Sequence, residues 1–357
     1  MKRCSRCVLP SSMPGISFDS EGICNYCRDY QKQTLKNEEA LLEILNAARG
    51  KGSQYDCIVN LSGGRDSSYT ILKMSKDYGM KVLAINYRNP FTHPIATRNM
   101  KNIKDILGVN LIDFSFKPGF HERILKQNLL ALLKKTDPAM IPMVCISCKL
   151  IWKNILKIAK SYNVKLIVSG GNLFEQTTFK RVLLGGDQNQ SLPSYYSSYI
   201  FGLARRALAN YRFLRPRTLF PTIKGYLYSN PYSPMVRMKA RHIDKIDLFH
   251  YLPWNEKEIL GRIQNELNWQ YPESNSGSWR FDCQIGHLKD FFYLKTLGLT
   301  EKDDFYSKLI REGKISREDS LIRLAKENEV DIVEIRKLLK SINFDTAILT
   351  ASSDQFH

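Results

Sequence analysis

The stretch that most constrains the fold is Cys57–Ser68, with the sequence CIVNLSGGRDSS. Residues 57–61 are mostly apolar, which is typical of a buried strand, and the residues after 67 carry apolar side chains at helical spacing. Gly63 and Gly64 stand at the junction and allow the backbone a tight turn. The free N–H groups at the start of a helix, together with its dipole, attract anions. The stretch therefore predicts a strand, a phosphate-binding loop and a helix.

This loop is not a Walker motif, because no Gly-x-x-x-x-Gly-Lys-Ser/Thr pattern occurs there. Ser62–Ser67, with the sequence SGGRDS, instead resembles the signature of the PP-loop ATP pyrophosphatases. In that superfamily the loop holds the β- and γ-phosphates of ATP while a substrate oxygen attacks the α-phosphate, which gives an adenylate and pyrophosphate. The alternative is a Gly-Gly turn that ends an ordinary strand-helix unit.

Length and composition indicate a globular chain with two or three domains. The 357 residues are 43% hydrophobic, and the chain has neither an apolar run of about eighteen residues nor an apolar stretch after its first methionine. We therefore expect no membrane span, no signal peptide and a cytoplasmic location. The net charge of +18 suits nucleic acid, a membrane surface or a multiply anionic small substrate, and it does not choose among them.

Residues 1–30 are predicted to be a zinc ribbon. Four cysteines follow the pattern C-x2-C-x16-C-x2-C, the spacing of two zinc knuckles, and they are Cys4, Cys7, Cys24 and Cys27. The segment between them is too short and too polar to hold a core without metal. A site whose four positions are all filled by protein is structural, so we predict no catalysis there. The alternative is a set of unligated thiols.

Residues 31–187 are predicted to be the catalytic domain. A linking helix at 36–48 precedes the loop, and strands at 81–87, 109–116 and 164–168 alternate with helices. This alternation predicts an α/β fold with a doubly wound parallel sheet, in which ligands bind beyond the carboxyl ends of the strands. The fourth strand delivers Gly170, Gly171 and Asn172, which could pack against the nucleotide or form a plain strand-to-helix turn.

Residues 188–270 are predicted to be a basic, aromatic insertion that binds substrate or a partner. Between 188 and 242 the chain has seven tyrosines, no acidic residue and nine basic residues, namely Arg205, Arg206, Arg212, Arg215, Arg217, Lys224, Arg237, Lys239 and Arg241. Such a surface can bind RNA, lie on a membrane or line a pocket for a nucleotide diphosphate sugar. The alternative is a solvated insertion whose tyrosines pack on the main domain. Residues 271–357 are predicted to be a mainly helical C-terminal region.

Several motifs together resemble the N-acetyl sugar amidotransferases, bacterial PP-loop enzymes of surface-polysaccharide, O-antigen and flagellin-glycan biosynthesis. They are the N-terminal RCSRCVLPSSMPGISFDSEGICNYC, the central SGGRDSS, the MVCISCK of residues 143–149 and the WRFDC of residues 279–283. The resemblance implies a fold of PP-loop, adenine nucleotide alpha hydrolase-like type. It further implies ATP-dependent conversion of an acetamido group on a nucleotide-linked sugar, such as a UDP-diacetamido uronic acid, into an acetamidino group.

The same resemblance implies partners and cofactors. Ammonia would come from a separate glutaminase with a cyclase-like partner, no nucleic acid would bind, and the cofactors would be ATP, Mg²⁺ and Zn²⁺. Arg65 would neutralise phosphate charge, Asp66 would hold Mg²⁺, and Arg280 and Asp282 would contact substrate. A structural salt bridge is the alternative for Arg280 and Asp282. The nucleotide-binding positions would be Ser62, Gly63, Gly64, Arg65, Asp66, Ser67, Ser68, Ile85, Asn86, Gly170, Gly171 and Asn172.

Three cysteines, Cys145, Cys148 and Cys283, remain after the ribbon has taken four and Cys57 has entered a core strand. We predict a second metal site there, with zinc favoured over an iron–sulfur cluster and His287 as the candidate fourth zinc ligand. The alternative is a reduced CxxC pair at a helix start, where the thiol pKa is lowered without metal.

Two other functions share some of these features. A tRNA-thiolating PP-loop enzyme would have the same loop, ribbon and basic surface, and the resemblance of WRFDC to the amidotransferases is what argues against it. A zinc-ribbon RNA-binding protein with an inactive pyrophosphatase domain is a third hypothesis, which the intact Ser62–Ser67 disfavours.

Overall fold

The computed structural model describes residues 1–51, 54–186, 192–272 and 277–350, with backbone alone for 192–198 and 350. The described strands form one parallel sheet in the order β3-β2-β1-β4-β5. These strands are β1 (Cys57–Asn60), β2 (Val82–Tyr87), β3 (Asn110–Phe114), β4 (Leu166–Ser169) and β5 (Asp244–Asp247). The prediction of an α/β fold with a parallel sheet is confirmed.

Helices connect the strands and make up the C-terminal region. The α-helices are α1 (Asn25–Arg28), α2 (Glu38–Ala48), α3 (Arg65–Leu72), α4 (Pro94–Leu107), α5 (Phe120–Lys134), α6 (Ile151–Ser161), α7 (Thr178–Leu183), α8 (Leu192–Leu208), α9 (Pro216–Leu227), α10 (Pro234–Lys239), α11 (Glu256–Leu267), α12 (Ile285–Leu297), α13 (Glu301–Arg311), α14 (Arg317–Glu327) and α15 (Ile332–Ser341). A π-helical turn at Lys73–Asp77 extends α3, and 3₁₀ segments lie at Pro138–Leu150, Leu173–Glu175, Tyr211–Leu214, Leu248–His250 and Thr346–Thr350.

Side chains of the strands alternate between two apolar clusters, one on each face of the sheet. Val59 and Ala84 pack with residues of α3, α4 and α11, whereas Ile58 and Leu83 pack with residues of α6. All four side chains are almost inaccessible to solvent. Burial on both faces is what a parallel sheet with crossover helices requires, so the sheet is doubly wound as predicted.

The sequence analysis missed β5, which lies inside residues 188–270. Its sequence DKID has one buried side chain, Ile246, and it pairs in parallel with β4 at the edge of the sheet. Helix α11 of the same range packs on α3. This part of the chain therefore contributes to the central fold as well as to its surface. The predicted boundary between residues 187 and 188 lies outside the described residues.

The C-terminal region is helical, as predicted, and it holds the N-terminal cysteine segment. Arg3 forms an ion pair of 2.7 Å with Asp303 at the start of α13. The guanidinium of Arg317 donates hydrogen bonds to the carbonyls of Cys4 and Cys7. Residues of both regions also share one apolar cluster. The two ends of the chain are therefore packed together.

Among the described residues, one helical stretch is long and apolar enough to cross a membrane, by length and composition only. It is Pro138–Ser161, with 24 residues, and 61% of its most apolar window is buried inside the protein. A core helix of a globular domain passes the same test, so the stretch is weak support for a span.

Candidate active site

The loop between β1 and α3 is fixed by contacts to Gly63. This residue has a φ of +79°, and a Cβ there would lie 2.1 Å from the carbonyl oxygen of Ala96. Its own carbonyl accepts hydrogen bonds from the side chains of Trp269 (3.0 Å) and Asn99 (3.1 Å). Residues far along the chain therefore set the loop conformation, and alanine does not fit at position 63.

Three serines gather around the first turn of α3. The hydroxyls of Ser62 and Ser67 lie 3.1 Å apart, and the Gly64 N–H donates to the Ser62 hydroxyl at 3.3 Å. The Ser68 hydroxyl donates to the Gly64 carbonyl at 2.7 Å. The sequence-predicted phosphate residues are thus brought together at one helix N-terminus, an arrangement that suits phosphate oxygens.

The side chain of Arg65 is buried next to the loop and is surrounded by carboxylates. Its side chain is 2% exposed, and its Nε and Nη2 donate to the two oxygens of Asp66 at 2.8 and 3.1 Å. Its Nη1 donates to Glu256 and to Ser278, in both cases at 3.0 Å. The Arg65 charge is therefore already balanced by protein carboxylates. Its neutralisation of phosphate charge stays a prediction.

Asp66 is fully engaged as a hydrogen-bond acceptor. Oδ1 accepts from Arg65 and from the indole of Trp254 at 3.1 Å, and Oδ2 accepts from Arg65 and from the amide of Asn172 at 2.8 Å. A carboxylate offers about four lone-pair positions, and these donors use all of them. A Mg²⁺ ion on Asp66 would therefore have to displace one donor.

The glycine turn after β4 packs against the loop helix and the edge strand. A Cβ at Gly170 would lie 2.7 Å from the Asp66 carbonyl oxygen, and a Cβ at Gly171 would lie 2.7 Å from the Asp247 carboxylate. Burial raises the pKa of Asp247 to about 6, although a hydrogen bond from the Gly171 backbone opposes the shift. The turn thus brings β4, α3 and β5 into close contact. Packing against a nucleotide stays a prediction.

The late segment 278–283 folds onto the loop. The Ser278 hydroxyl contacts Arg65, and a Cβ at Gly64 would lie 3.4 Å from the Asp282 carboxylate. Burial raises the pKa of Asp282, although a hydrogen bond from Ser62 opposes the shift. The His93 N–H donates to the Asp282 carbonyl at 3.0 Å. Asp282, predicted as a substrate contact, is therefore a carboxylate that faces the loop.

Arg280 stands beside this carboxylate in a strained backbone conformation, with a φ of +47°. Its guanidinium contacts Glu175 at 3.3 Å and the buried carboxylate of Glu301. Glu301 also pairs with Lys180 at 2.5 Å and with Lys289 at 2.7 Å. Burial works to raise the pKa of Glu301, but the three cations hold it well below its ordinary value. Arg280 is thus fixed by ion pairs.

Three neighbouring cavities meet at Cys283, and Asp282 lines two of them. The loop cavity, of about 350 Å³, is lined by loop residues together with Glu175, Arg280 and Asp282. The strand-end cavity, also about 350 Å³, lies beyond β1 and β2 and is lined by Ile85, Asn86, Phe114, Trp152, Asp282 and Cys283. The outer cavity, of about 250 Å³, shares Arg280, Cys283, Gly286 and Lys289 with the loop cavity. Ile85 and Asn86 are thus placed beside the loop, and their contact with the nucleotide stays a prediction.

The four N-terminal cysteines form a cluster with the geometry of a metal site. They are all buried, and their sulfurs lie within 4.8 Å of one another. Two sulfur pairs are 4.0 and 3.8 Å apart. These distances agree with a tetrahedral zinc site, in which Zn–S bonds of about 2.3 Å separate the sulfurs by about 3.8 Å. Arg311 donates to the Cys27 sulfur at 3.3 Å. The donor set fits Zn²⁺, which would link the two knuckles structurally.

Cys145, Cys148 and Cys283 lie in one region without forming a comparable cluster. Burial raises the pKa of Cys148, and the charges of Cys283 and Cys145 act in the same direction, so the three thiols are close enough to interact. Among the described residues, however, only the N-terminal set has three or more metal-ligating atoms within 4.8 Å of one another. A second metal site at these cysteines stays a prediction.

Metal analysis of anaerobically purified protein tests both cysteine sets. We expect one zinc per chain from the ribbon, lost together with folded protein in Cys24→Ser/Cys27→Ser, because the segment has little core of its own. A second zinc that disappears in Cys145→Ser/Cys148→Ser establishes the second site as zinc, and iron with sulfide establishes a cluster there. Zinc content unaffected by Cys24→Ser/Cys27→Ser would contradict the ribbon assignment.

The sequence analysis missed several residues that shape the site, because they lie far from the loop in the chain. They are Asn99, Trp254, Glu256, Trp269 and Glu301. A buried tryptophan needs an acceptor for its indole N–H, and both tryptophans find it in the loop region. The presence of these tryptophans was the one indication in the sequence that such contacts exist, and it does not identify the residue that accepts the hydrogen bond.

Comparison with known proteins gives limited similarity. No protein-family model matches the chain. An uncharacterised protein from Methanocaldococcus jannaschii is 24% identical over 178 residues, which are 48% of this chain and 59% of that protein. This chain thus spans less than two thirds of the length of that relative.

Two solved structures resemble the fold weakly. NMN synthetase from Francisella tularensis has a TM-score of 0.37 and 12% identity, and the match covers 82% of this chain and 94% of that one. The U34-tRNA thiolase NcsA from Methanococcus maripaludis, with its 4Fe-4S cluster, has a TM-score of 0.35 and 13% identity over 93% of this chain and 92% of that one. Because both TM-scores are low, neither structure bears on what this chain binds.

Proposed function

We propose that this protein is an ATP-dependent amidotransferase that converts an acetamido group of a nucleotide-linked sugar into an acetamidino group. The observation that carries the proposal is the packing of residues 278–283 on the Ser62–Ser67 loop. These two stretches are distant in sequence, and both belong to the motifs that resemble the N-acetyl sugar amidotransferases. Their contact is what a shared site for ATP and acceptor requires.

The reaction has two displacements. The acetamido carbonyl oxygen attacks the α-phosphorus of ATP, pyrophosphate leaves, and an O-adenylyl imidate forms. Ammonia then adds to the imidate carbon, loses a proton and expels AMP, which leaves the amidine. Activation is needed because an amide oxygen is a poor leaving group until it bears the adenylyl group.

The chain's residues suit a reaction that depends on positioning and charge. Adenosine would occupy the strand-end cavity near Ile85 and Asn86, with the triphosphate at Ser62–Ser67. Asp282 and Glu175 line the loop cavity and are the carboxylates that we assign to Mg²⁺, because the acceptor positions of Asp66 are filled. Bound Mg²⁺ would balance phosphate charge. Pre-organised groups of this kind lower barriers without a nucleophilic side chain.

The proposal includes a cytoplasmic location, a nucleotide-sugar substrate and a separate ammonia supplier. Release of AMP from ATP and ammonium chloride, measured with a panel of UDP-diacetamido uronic acids and in parallel with total tRNA, tests it. We expect release of AMP that depends on the sugar. We also expect an amidino product about 1 Da lighter than the acetamido sugar, because an NH group replaces an oxygen atom and is lighter by that amount. AMP release with tRNA alone would instead support the tRNA-thiolating enzyme.

Ammonia supply gives a second prediction. The pure chain should form product with ammonium salts and none with glutamine alone, because no glutaminase motif occurs in its sequence. The four ribbon cysteines and Cys57 are also buried, so glutamine cannot reach their thiols. The measurement is amidino-sugar formation with either nitrogen source at equal concentration. Glutamine-dependent turnover that survives removal of traces of glutaminase would contradict this part of the proposal.

A further inference from the structure

We propose that α8 and α9 form a surface that docks on an anionic lipid membrane. Large apolar side chains are exposed on these helices, including Phe201 (75%), Leu208 (72%) and Phe220 (59%). A single exposed leucine is ordinary, but a group of large apolar side chains on one surface marks a contact region. None of these residues lines the loop cavity, and the proposal does not depend on the proposed function.

The exposed apolar residues repeat along one side of each helix, with cations between them. In α8, Phe201 and Leu208 flank Arg205 at a spacing of four and three residues. In α9, Phe220 and Lys224 share a side at a spacing of four, with Ile223 adjacent. These residues are all exposed. Each helix thus presents apolar and cationic groups together, the pattern of helices that lie at a lipid interface.

The two helices contact each other through a pair of tyrosines, and the proposed surface includes the exposed side of both helices. The rings of Tyr199 and Tyr226 lie 5.3 Å apart, and their hydroxyls are 2.9 Å apart. The turn between the helices adds Tyr211, which is 54% exposed and lies 5.5 Å from the guanidinium of Arg215. Tyrosine is favoured where a surface meets the lipid headgroups.

Charge indicates what covers this surface. Residues 188–242 contain nine basic residues and no acidic one. Arg206 pairs with Asp137 at 2.9 Å, whereas no ion pair between described residues involves Arg205, Arg217 or Lys224. Anionic headgroups would balance these cations while the acyl region receives the apolar side chains. RNA would balance the cations but would leave leucine and isoleucine in water, since it binds through phosphates and stacking.

Flotation with lipid vesicles tests the surface. The full chain should bind vesicles of phosphatidylcholine with phosphatidylglycerol, bind phosphatidylcholine alone weakly, and bind less in high salt. Phe201→Gln/Phe220→Gln should lower the partition coefficient at least about tenfold, because two phenyl groups stay in water. Arg205→Gln/Lys224→Gln should lower it about fivefold for each cation.

Matched variants separate this surface from general stickiness. Ile322→Gln/Val333→Gln removes apolar residues that are 61% and 58% exposed elsewhere, and Lys153→Gln/Lys157→Gln removes exposed cations of α6. Both should change binding less than about twofold. Absence of vesicle binding, or equal losses in the matched variants, would overturn the proposal. So would binding of total tRNA or of a soluble protein that needs these residues while vesicles do not bind.

Discussion

Asp282→Asn should lower the rate of AMP release at least about 100-fold, the scale on which charged groups at a reacting phosphate contribute. The carboxylate lies beside Ser62 and Gly64, where the loop cavity and the strand-end cavity meet. An amide keeps the size of the side chain but cannot bind a cation through a charged oxygen. The measurement is AMP formation at saturating ATP, sugar and ammonium, with thermal unfolding as the check on the fold.

The pH profile gives an independent readout of the same residue. Burial raises the pKa of Asp282, so the ionised form appears only at a pH above the ordinary aspartate range. At limiting Mg²⁺, activity that needs the carboxylate should therefore fall as pH is lowered, because protons compete with the cation for Asp282, and Asp282→Asn should lack this fall. Asp105→Asn, an exposed carboxylate on α4, is the matched control and should keep both rate and profile. Wild-type turnover in Asp282→Asn would remove 278–283 from the mechanism and the main support from the proposed function.

The strands that surround the loop were predictable because their apolar runs are unambiguous. β1, β2 and β4 are buried on both faces, and such strands read as continuous apolar segments. The sequence of β5 is DKID, and Ile246 is its one buried residue. An edge strand buries less apolar surface than a central strand, so its sequence can be mostly polar. Periodicity carries no signal for such a strand. Only its pairing with β4 identifies it.

The site was predictable to the extent that its residues lie in local motifs. Ser62–Ser67 was found from its own sequence, and the structure places it at the expected strand-to-helix junction. The role of Asp66 as a Mg²⁺ ligand was read from the same motif and stays a prediction. Its acceptor positions are filled by Arg65 and by two residues that are distant in sequence, Trp254 and Asn172. Sequence gives the type of a side chain, whereas its remaining capacity to bind a metal depends on tertiary partners.

Glu301→Gln should lower the free energy of unfolding by roughly 3 kcal/mol or more, since breaking a buried ion pair leaves an uncompensated charge. Its carboxylate is 4% exposed and pairs with Lys180, Arg280 and Lys289. Glutamine preserves the shape and removes the one negative charge that the three cations share. Arg280 then loses one of its two carboxylate partners and keeps Glu175, so its position beside Asp282 is held less firmly and AMP release should fall as well. Equilibrium unfolding in urea measures the first effect.

The dependence of stability on pH distinguishes loss of charge from loss of packing. The folded pKa of Glu301 lies well below its ordinary value of 4.5, so its contribution is present above the unfolded pKa and is lost as pH falls through the folded one. Glu301→Gln should therefore be least different from wild type in acid. Adding Lys289→Met should restore part of the loss, because it removes one uncompensated cation. Glu318→Gln, an exposed change on α14, should stay within about 0.5 kcal/mol of wild type. A loss for Glu301→Gln that is equally small would show that the three cations do not need this carboxylate.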